Sequence, residues 1–461
     1  MTKQLPESFS MKSYAKKTIS ILVILITLAI VLILATPIIL STSWAKNLVI
    51  AQLEKKYNAK ISIDSISLHW FGKQQIKQIA VTHDTNKAHA DLIELDTPLL
   101  TLFRTKNNLK KLIFEGNLQL QNATLSIGDK ISLTDLSIQA NDEKKIAIYG
   151  KSHQGRQIGE IAISGEVTFP ALWSFSFKRF PSKIIENFIP QYPIYNILGS
   201  SFDADVKLNF PRKTLDTFSY DKTIKSPNLF LTSTGIYKKG IVHLLSTLKA
   251  KFVLTKDLSN ILFKDASFQP VSAQSIFLDI EPNKTSIPIF PFKVQDLNIP
   301  NLNLDLQKIE YRNFGTLSDI LSIIKLRPRP NQNVPIWFQN APMSIKDGIC
   351  SIERTDMLID YNYQIGNWGT IDLVHKTLNM TLGITTQALS HAFNLKNLPD
   401  QYTIPMKISG PINDPHLHAS SALKIIGAIL LIEKQPYIKV PGKLALPPID
   451  PSPPMRRPLP W

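Results

Sequence analysis

The residues that could do chemistry are few and poorly spaced for it. His416-Leu417-His418 sets two imidazoles on one side of a strand or loop, but no cysteine or further histidine stands at metal-ligand spacing to complete a coordination set. Cys350 follows Asp347-Gly348-Ile349 in what reads as a turn entering a strand. With no histidine nearby to take the thiol proton, it reads as a small buried residue and not a nucleophile. Asp203-Ala204-Asp205 pairs two carboxylates, yet it alternates like any wet strand face. There is no G-x-S-x-G elbow, no P-loop and no dinucleotide fingerprint, and the chain has only 18 glycines. These features exclude the common catalytic classes, and the chain reads as a non-enzyme with no metal and no cofactor. A sole cysteine also excludes an intramolecular disulfide, so packing and ladder hydrogen bonds must hold the fold.

The most informative segment is apolar and inert. Residues 19–40 (ISILVILITLAIVLILATPIIL) carry no charge, and their length matches the roughly 20 residues a helix needs to cross a bilayer. Ile21, Leu25, Leu28, Leu32 and Leu34 form the body of this expected membrane anchor. A cleaved signal is the other reading, with Lys12, Lys16 and Lys17 as its basic region and Ser41-Thr42-Ser43 near a cleavage point. Its apolar stretch would usually span only about 7–15 residues, which favours a retained anchor. Lys16 and Lys17 lie closest to the run, so residues 1–18 are expected in the cytoplasm and the bulk beyond the membrane.

The formal charge is +16, from 52 basic and 36 acidic residues. The lysines are dispersed, with no arginine-rich stripe and no basic run interleaved with aromatics, so nucleic acid is not an expected partner. Scattered lysines suit solubility, strand-edge protection and the neighbourhood of anionic headgroups.

After the run, Trp44 to Tyr57 reads as a short amphipathic helix with Trp44, Leu48, Ala51 and Leu53 near one face. Period-two segments follow at 61–63, 66–68, 118–120, 125–127, 131–133 and 136–138. Gly116-Asn117, Gln121-Asn122 and Gly128-Asp129 punctuate them like hairpin turns. Residues 41–170 therefore predict an antiparallel meander. The middle, 171–293, keeps strands at 204–208 and 249–254. It also carries the breaks Phe180-Pro181, Ile189-Pro190 and Pro288 to Phe292, where ladder pairing must stop or sit at an edge. Helical spacing appears at 182–189 and 317–324. Alternation is clearest in 294–418, at Ile299, Leu302, Leu304 and Leu306, and at Ile371, Leu373, Leu378, Met380, Leu382 and Ile384 around His375-Lys376. Residues 419–434 hold an apolar segment too short to span a bilayer, expected as an interfacial or capping helix. The proline-rich tail 435–461 is expected to be extended and disordered.

The expected fold is therefore mainly β: an elongated, curved, mostly antiparallel sheet groove behind an N-terminal transmembrane helix, with a few short amphipathic helices. Many strands each carry one apolar face, and too few amphipathic helices exist in the sequence to cover them. Either the sheet closes on itself, or an apolar face stays open for something apolar to fill. Ile63, Leu68, Leu118, Leu120, Leu125, Leu302, Leu304, Leu306, Leu373 and Met380 are the candidate lining.

Two stretches resemble the AsmA-like family of inner-membrane-anchored envelope proteins, relatives of bridge-like lipid transfer proteins. The first runs from the apolar run through about Ile138, with Asn58 to Ile63, Leu68-His69-Trp70-Phe71-Gly72, Ile76 to Val81 and Gly116 to Leu120 in the family's order. The second contains Ala341 to Gly348, Trp368 to Leu373 and Ile404-Pro405-Met406-Lys407-Ile408-Ser409-Gly410-Pro411-Ile412-Asn413-Asp414-Pro415, which is similar to the family's closing strand and turn. The resemblance implies a periplasmic β-groove that carries phospholipid toward the outer membrane or supports its assembly. Membrane phospholipids are then the expected partners. The runner-up is a structural or assembly factor that docks envelope or outer-membrane proteins. The chain is short for a bridge, and the tail after Leu446 has no family counterpart.

Overall fold

The computed structural model describes residues 42–69, 72–98, 117–128, 131–141, 143–190, 192–264, 266, 269–313, 315–328, 332–395 and 403–434. The apolar run 19–40 and the tail 435–461 lie outside the described residues. Among the described residues no helix is long and apolar enough to cross a membrane. The chain is mainly β and divides between Pro227 and Asn228 into two compact units.

The first unit opens with helix α1 (Ser43–Tyr57), followed by β1 (Lys60–Ser67), β2 (Gln74–His83), β3 (Asn86–Leu95), β4 (Gln119–Ile127) and β5 (Ile131–Ala140). Then come β6 (Lys145–Gln154), β7 (Gln157–Glu166), β8 (Ala171–Pro181), the short helices α2 (Ser182–Phe188) and α3 (Ile194–Leu198), β9 (Ser201–Phe210) and β10 (Thr217–Lys225). Each strand pairs antiparallel with the next, so the ten form a meander, as the alternation predicts. Gly155, with φ 58°, takes the left-handed backbone of the β6–β7 turn at no steric cost.

The expected punctuation at Gln121-Asn122 is not a turn. Residues 119–120 and 125–127 belong to one strand, β4, and Asn122 (φ 49°) lies inside it, where the register to β5 shifts. Asp135 in β5 and Arg179 in β8 repeat the device, each with positive φ beside a register shift. A bulge adds an unpaired residue, bends the strand and raises its twist. A polar residue that tolerates left-handed backbone thus marks a bulge as readily as a hairpin.

The expected face of α1 is also corrected. Leu48 and Ala51 are exposed, whereas Leu53 is buried and Ile50 and Tyr57 pack on the core. The spacing Ile50, Leu53, Tyr57 still follows the helical period, rotated from the expected stripe. That side covers a cluster built on β1 to β4, including Ile61, Ile63, Ile76, Ile79, Val81, Ala90, Ile93 and Leu120.

The second unit comprises β11 (Leu229–Lys238), β12 (Ile241–Leu244), β13 (Leu248–Leu254), α4 (Lys256–Leu262), β14 (Pro270–Ile280), β15 (Ser286–Pro288), β16 (Ile299–Asp305), β17 (Lys308–Arg312) and α5 (Gly315–Ile323). It continues with β18 (Asn333–Phe338), β19 (Ala341–Lys346), β20 (Ile349–Ile359), β21 (Tyr363–Asp372), β22 (Thr377–Thr385), α6 (Thr386–Phe393), β23 (Thr403–Pro411), β24 (His416–His418) and α7 (Ser420–Lys434). Several strands are halves of one interrupted rung. β16 and β17 both pair with β14, and β18 and β19 both pair with β20, each in continuing register. Leu306, expected to continue the alternation, lies outside both strands, before Gln307 with φ 48°.

Antiparallel order sends the rungs back and forth, so the connections fall at two ends. One end carries α4, α5 and α6, whose Leu258, Leu317, Ile320, Leu321, Ala388 and Leu389 are buried. Thr255 and Thr385 cap α4 and α6 by accepting from the N–H groups of Leu258 and Ala388. Helix α7 packs on β23, burying Ala422, Ile426 and Ile429 while Leu423 and Leu431 stay exposed. The opposite end has turns and one 3₁₀ turn, Val294–Asp296.

Candidate functional site

Residues directly paired across a ladder share one face of the sheet, and the register resolves each unit into an apolar and a polar face. In the second unit one file runs Ile280, Leu302, Met343, Ile352, Gly369, Met380, Ile408, Leu417. A second runs Leu231, Ala250, Leu278, Leu304, Ala341. Leu231, Leu278, Leu302, Leu304, Met343, Ile352, Met380 and Leu417 keep part of their surface in solvent, whereas Ile280, Ala341 and Ile408 in the same files are buried. The first file crosses eight strands, and at about 4.8 Å per step it extends roughly 34 Å. That is about twice the hydrocarbon depth of one leaflet, about 15 Å. The reverse face is wet, with Lys249, Asp279 and Asn303 in one file and Ser344, Ser351, Thr370, Asn379, Ser409 and His416 in another.

Toward the helix-bearing end the same apolar face is sealed. Ile336, Ile359, Ile365, Ile384, Ile404 and Met406 are fully buried. Burial also pushes the Tyr311 phenol far above its ordinary range.

The first unit repeats the contrast along one file, Ile66, Ile76, Ile93, Leu120, Ile138, Ile148, Ile163, Phe175, Val206 and Lys222. Ile76, Ile93 and Leu120 belong to the cluster that α1 covers. From Ile138 onward every member is part-exposed. The neighbouring file carries Trp173, Leu208 and Tyr220, with the Trp173 ring in the space that a side chain at Gly165 would take.

Lys222 places an ammonium at the end of this apolar file. Burial holds it below the usual lysine range, and among the described residues no charge partner counters that shift. Its Nζ lies 5.4 Å from the Tyr220 ring centroid. The carboxylates of β9 and β10, Asp203, Asp205 and Asp221, alternate onto the other face. The half-buried lysine is thus an anion-seeking group set among hydrocarbon.

The candidate lining divides by cover. Ile63, Leu68, Leu118 and Leu120 are buried in the α1 cluster, and Leu125 is half-buried against it. Leu302, Leu304 and Met380 are on the open files, Leu306 is at the rung break, and Leu373 is half-buried in the turn after β21, donating its N–H to the Gly348 carbonyl. The sequence reading missed Ile148, Ile163, Trp173, Phe175 and Lys222. The first four alternate visibly, as in Ile146-Ala147-Ile148 and Trp173-Ser174-Phe175, and could have been found by the rule used elsewhere. The anchor residues Ile21, Leu25, Leu28, Leu32 and Leu34 lie outside the described residues.

The chemistry-bearing residues have local structural partners. Asp205 accepts from Ser176 Oγ at 2.7 Å, and Asp203 accepts from the Arg179 N–H at 2.6 Å, at the β8 bulge. His418 Nε2 lies 3.0 Å from Ser409 Oγ. Burial raises the pKa of Cys350, which disfavours its thiolate. Among the described residues no cluster of His, Cys, Asp and Glu could hold a metal. No protein-family model, no curated protein and no solved structure matches the chain.

Proposed function

We propose that this protein is anchored in the bacterial inner membrane by its N-terminal apolar run and uses the open apolar faces of its periplasmic sheet as a groove for phospholipid acyl chains. Its role is then transport of phospholipid toward the outer membrane, or maintenance of that membrane's lipid. The observation that carries the reading is the contrast within each apolar face: helices seal one part, while most of the Leu, Ile, Met and Phe side chains in the files elsewhere remain part-exposed. Shielding needs no catalytic group. Each CH₂ withdrawn from water contributes about 0.8 kcal/mol, so a file that covers much of an acyl chain offsets most of the cost of moving it through water. The resemblance of about 19–138 and 341–415 to AsmA-like proteins supports the same reading.

Mass spectrometry of lipid that co-purifies with the full chain in mild detergent tests it, beside Leu304→Asp. Several phospholipids per chain, reduced in a folded variant, support the groove. Detergent-level lipid in both proteins refutes it and favours the docking-factor reading.

A further inference from the structure

The second unit ends, opposite its helices, in an exposed apolar tip ringed by lysines. Phe290 is 77% exposed, Phe292 62% and Ile289 49%. Aromatics this open are unusual on a surface that meets only water. They are held out by backbone bonds, because the N–H groups of Ile289 and Phe290 both donate to the Gly240 carbonyl, at 2.7 and 3.1 Å. Gly240 has φ 90°, and a side chain there would collide with the Phe290 carbonyl, so the two loops fit only with glycine at that position.

The same bond places Lys238 and Lys239 beside Phe290, and Lys293 follows Phe292. All three lysines are exposed, and the stretches 238–241 and 286–293 hold no acid. The acids at this end lie outside those two stretches: Asp296 is three residues past Lys293 in the same β15–β16 connection, Glu281 precedes β15, and Asp347, Asp372 and Asp414 are in other turns. Aromatic rings with flanking cations match the two layers of a bilayer surface, hydrocarbon below and anionic headgroups above. Ile287, next to this tip, pairs with Val242 at the margin of the apolar face.

We propose that the loops 238–241 and 289–293 form a membrane-docking tip that inserts Phe290 and Phe292 into a bilayer whose surface carries anionic phospholipid. This contact is separate from the apolar run at the N-terminus and does not depend on the sheet carrying lipid.

The test is flotation of the full chain, held in a non-ionic amphipol, with vesicles of phosphatidylcholine alone or enriched in phosphatidylglycerol. The wild type is expected to float better with the anionic vesicles. Phe290→Ser/Phe292→Ser should lower the apparent affinity at least tenfold on both vesicle types, by the apolar area lost. Lys238→Gln/Lys239→Gln/Lys293→Gln should abolish the preference for anionic lipid, at roughly fivefold per lysine. Ile261→Ser/Leu262→Ser, exposed on α4 at the other end, serves as control and should leave binding unchanged. Circular dichroism checks that each variant stays folded. Equal flotation of wild type and tip variants would overturn the proposal. So would self-association of the chain, lost in the phenylalanine variant, without vesicle binding.

Discussion

Strands β1 to β4 and strands β6 to β10 share one meander and one alternation, yet the first group is sealed and the second is not. The same file of side chains is buried at Ile76, Ile93 and Leu120 and part-exposed at Ile148, Ile163, Phe175 and Val206. The difference lies in the cover, since α1 lies over the first group. The second unit repeats it within single strands: in β22, Ile384 is fully buried and Met380 part-exposed. A strand's pattern therefore shows that it has an apolar face, and what lies over that face decides between core and binding surface.

The largest expected break in this comparison is a charge in the sealed part. Ile336→Asp should cost about 4 kcal/mol or more, because the carboxylate has no partner there. A collapse of the urea midpoint would show it, whereas a small shift would mean that the sealed end is wet. Next, Ile79→Ala, at a fully buried position under α1, should cost about 2–5 kcal/mol. The matched change Ile148→Ala on the open stretch should cost about 1 kcal/mol or less. Equal losses would erase the distinction between the two groups.

Lys222→Met sharpens the comparison from the open side. The folded pKa of Lys222 lies below its unfolded value, so the ammonium costs stability at neutral pH. That cost vanishes as pH rises through the unfolded value, about 10.4. The variant should be more stable than wild type at neutral pH, with the gap closing in alkali. If phospholipid occupies this face, the same variant should also carry less anionic lipid by mass spectrometry.

The smallest effect concerns the sealed margin. Glu94 is held below the usual carboxylate range by its 2.7 Å bond to Lys73 Nζ, with help from the Gln75 amide. Its contribution is present above the unfolded pKa of glutamate and is lost as pH falls through the lowered folded value. Glu94→Gln should therefore flatten part of the acid limb of the stability profile while leaving neutral-pH lipid content unchanged.

Much of the fold was legible because strand alternation is local. Strands β9, β13, β16 and β22 are where Ala204 to Leu208, Lys249 to Leu254 and the alternating leucines place them, whereas of Ile371 and Leu373 only Ile371 falls in β21. The helices at 182–188 and 315–323 fall within a residue or two of their expected bounds. The misreadings had non-local causes. Asn122 is a bulge because β3 and β5 continue beside it, and Leu306 leaves the strand because two half-strands share one rung. For the candidate site, Leu302, Leu304 and Met380 were legible as one-sided positions. Nothing near Ile63 or Leu120 in sequence shows that α1 folds back over them.

The sequence by itself determined that this is a β chain with one apolar and one polar face per strand, behind an apolar run of membrane-spanning length, with no residue pattern for catalysis. Alternation, charge and hydropathy are properties of neighbours along the chain. Only the tertiary structure decided which apolar stretches are covered, that Lys222 stands in an apolar file with the β9 and β10 carboxylates on the other face, and that Gly240 holds Phe290 beside lysines some fifty residues away in sequence. Burial and local dielectric depend on what the rest of the chain places over a residue, and that is set by packing.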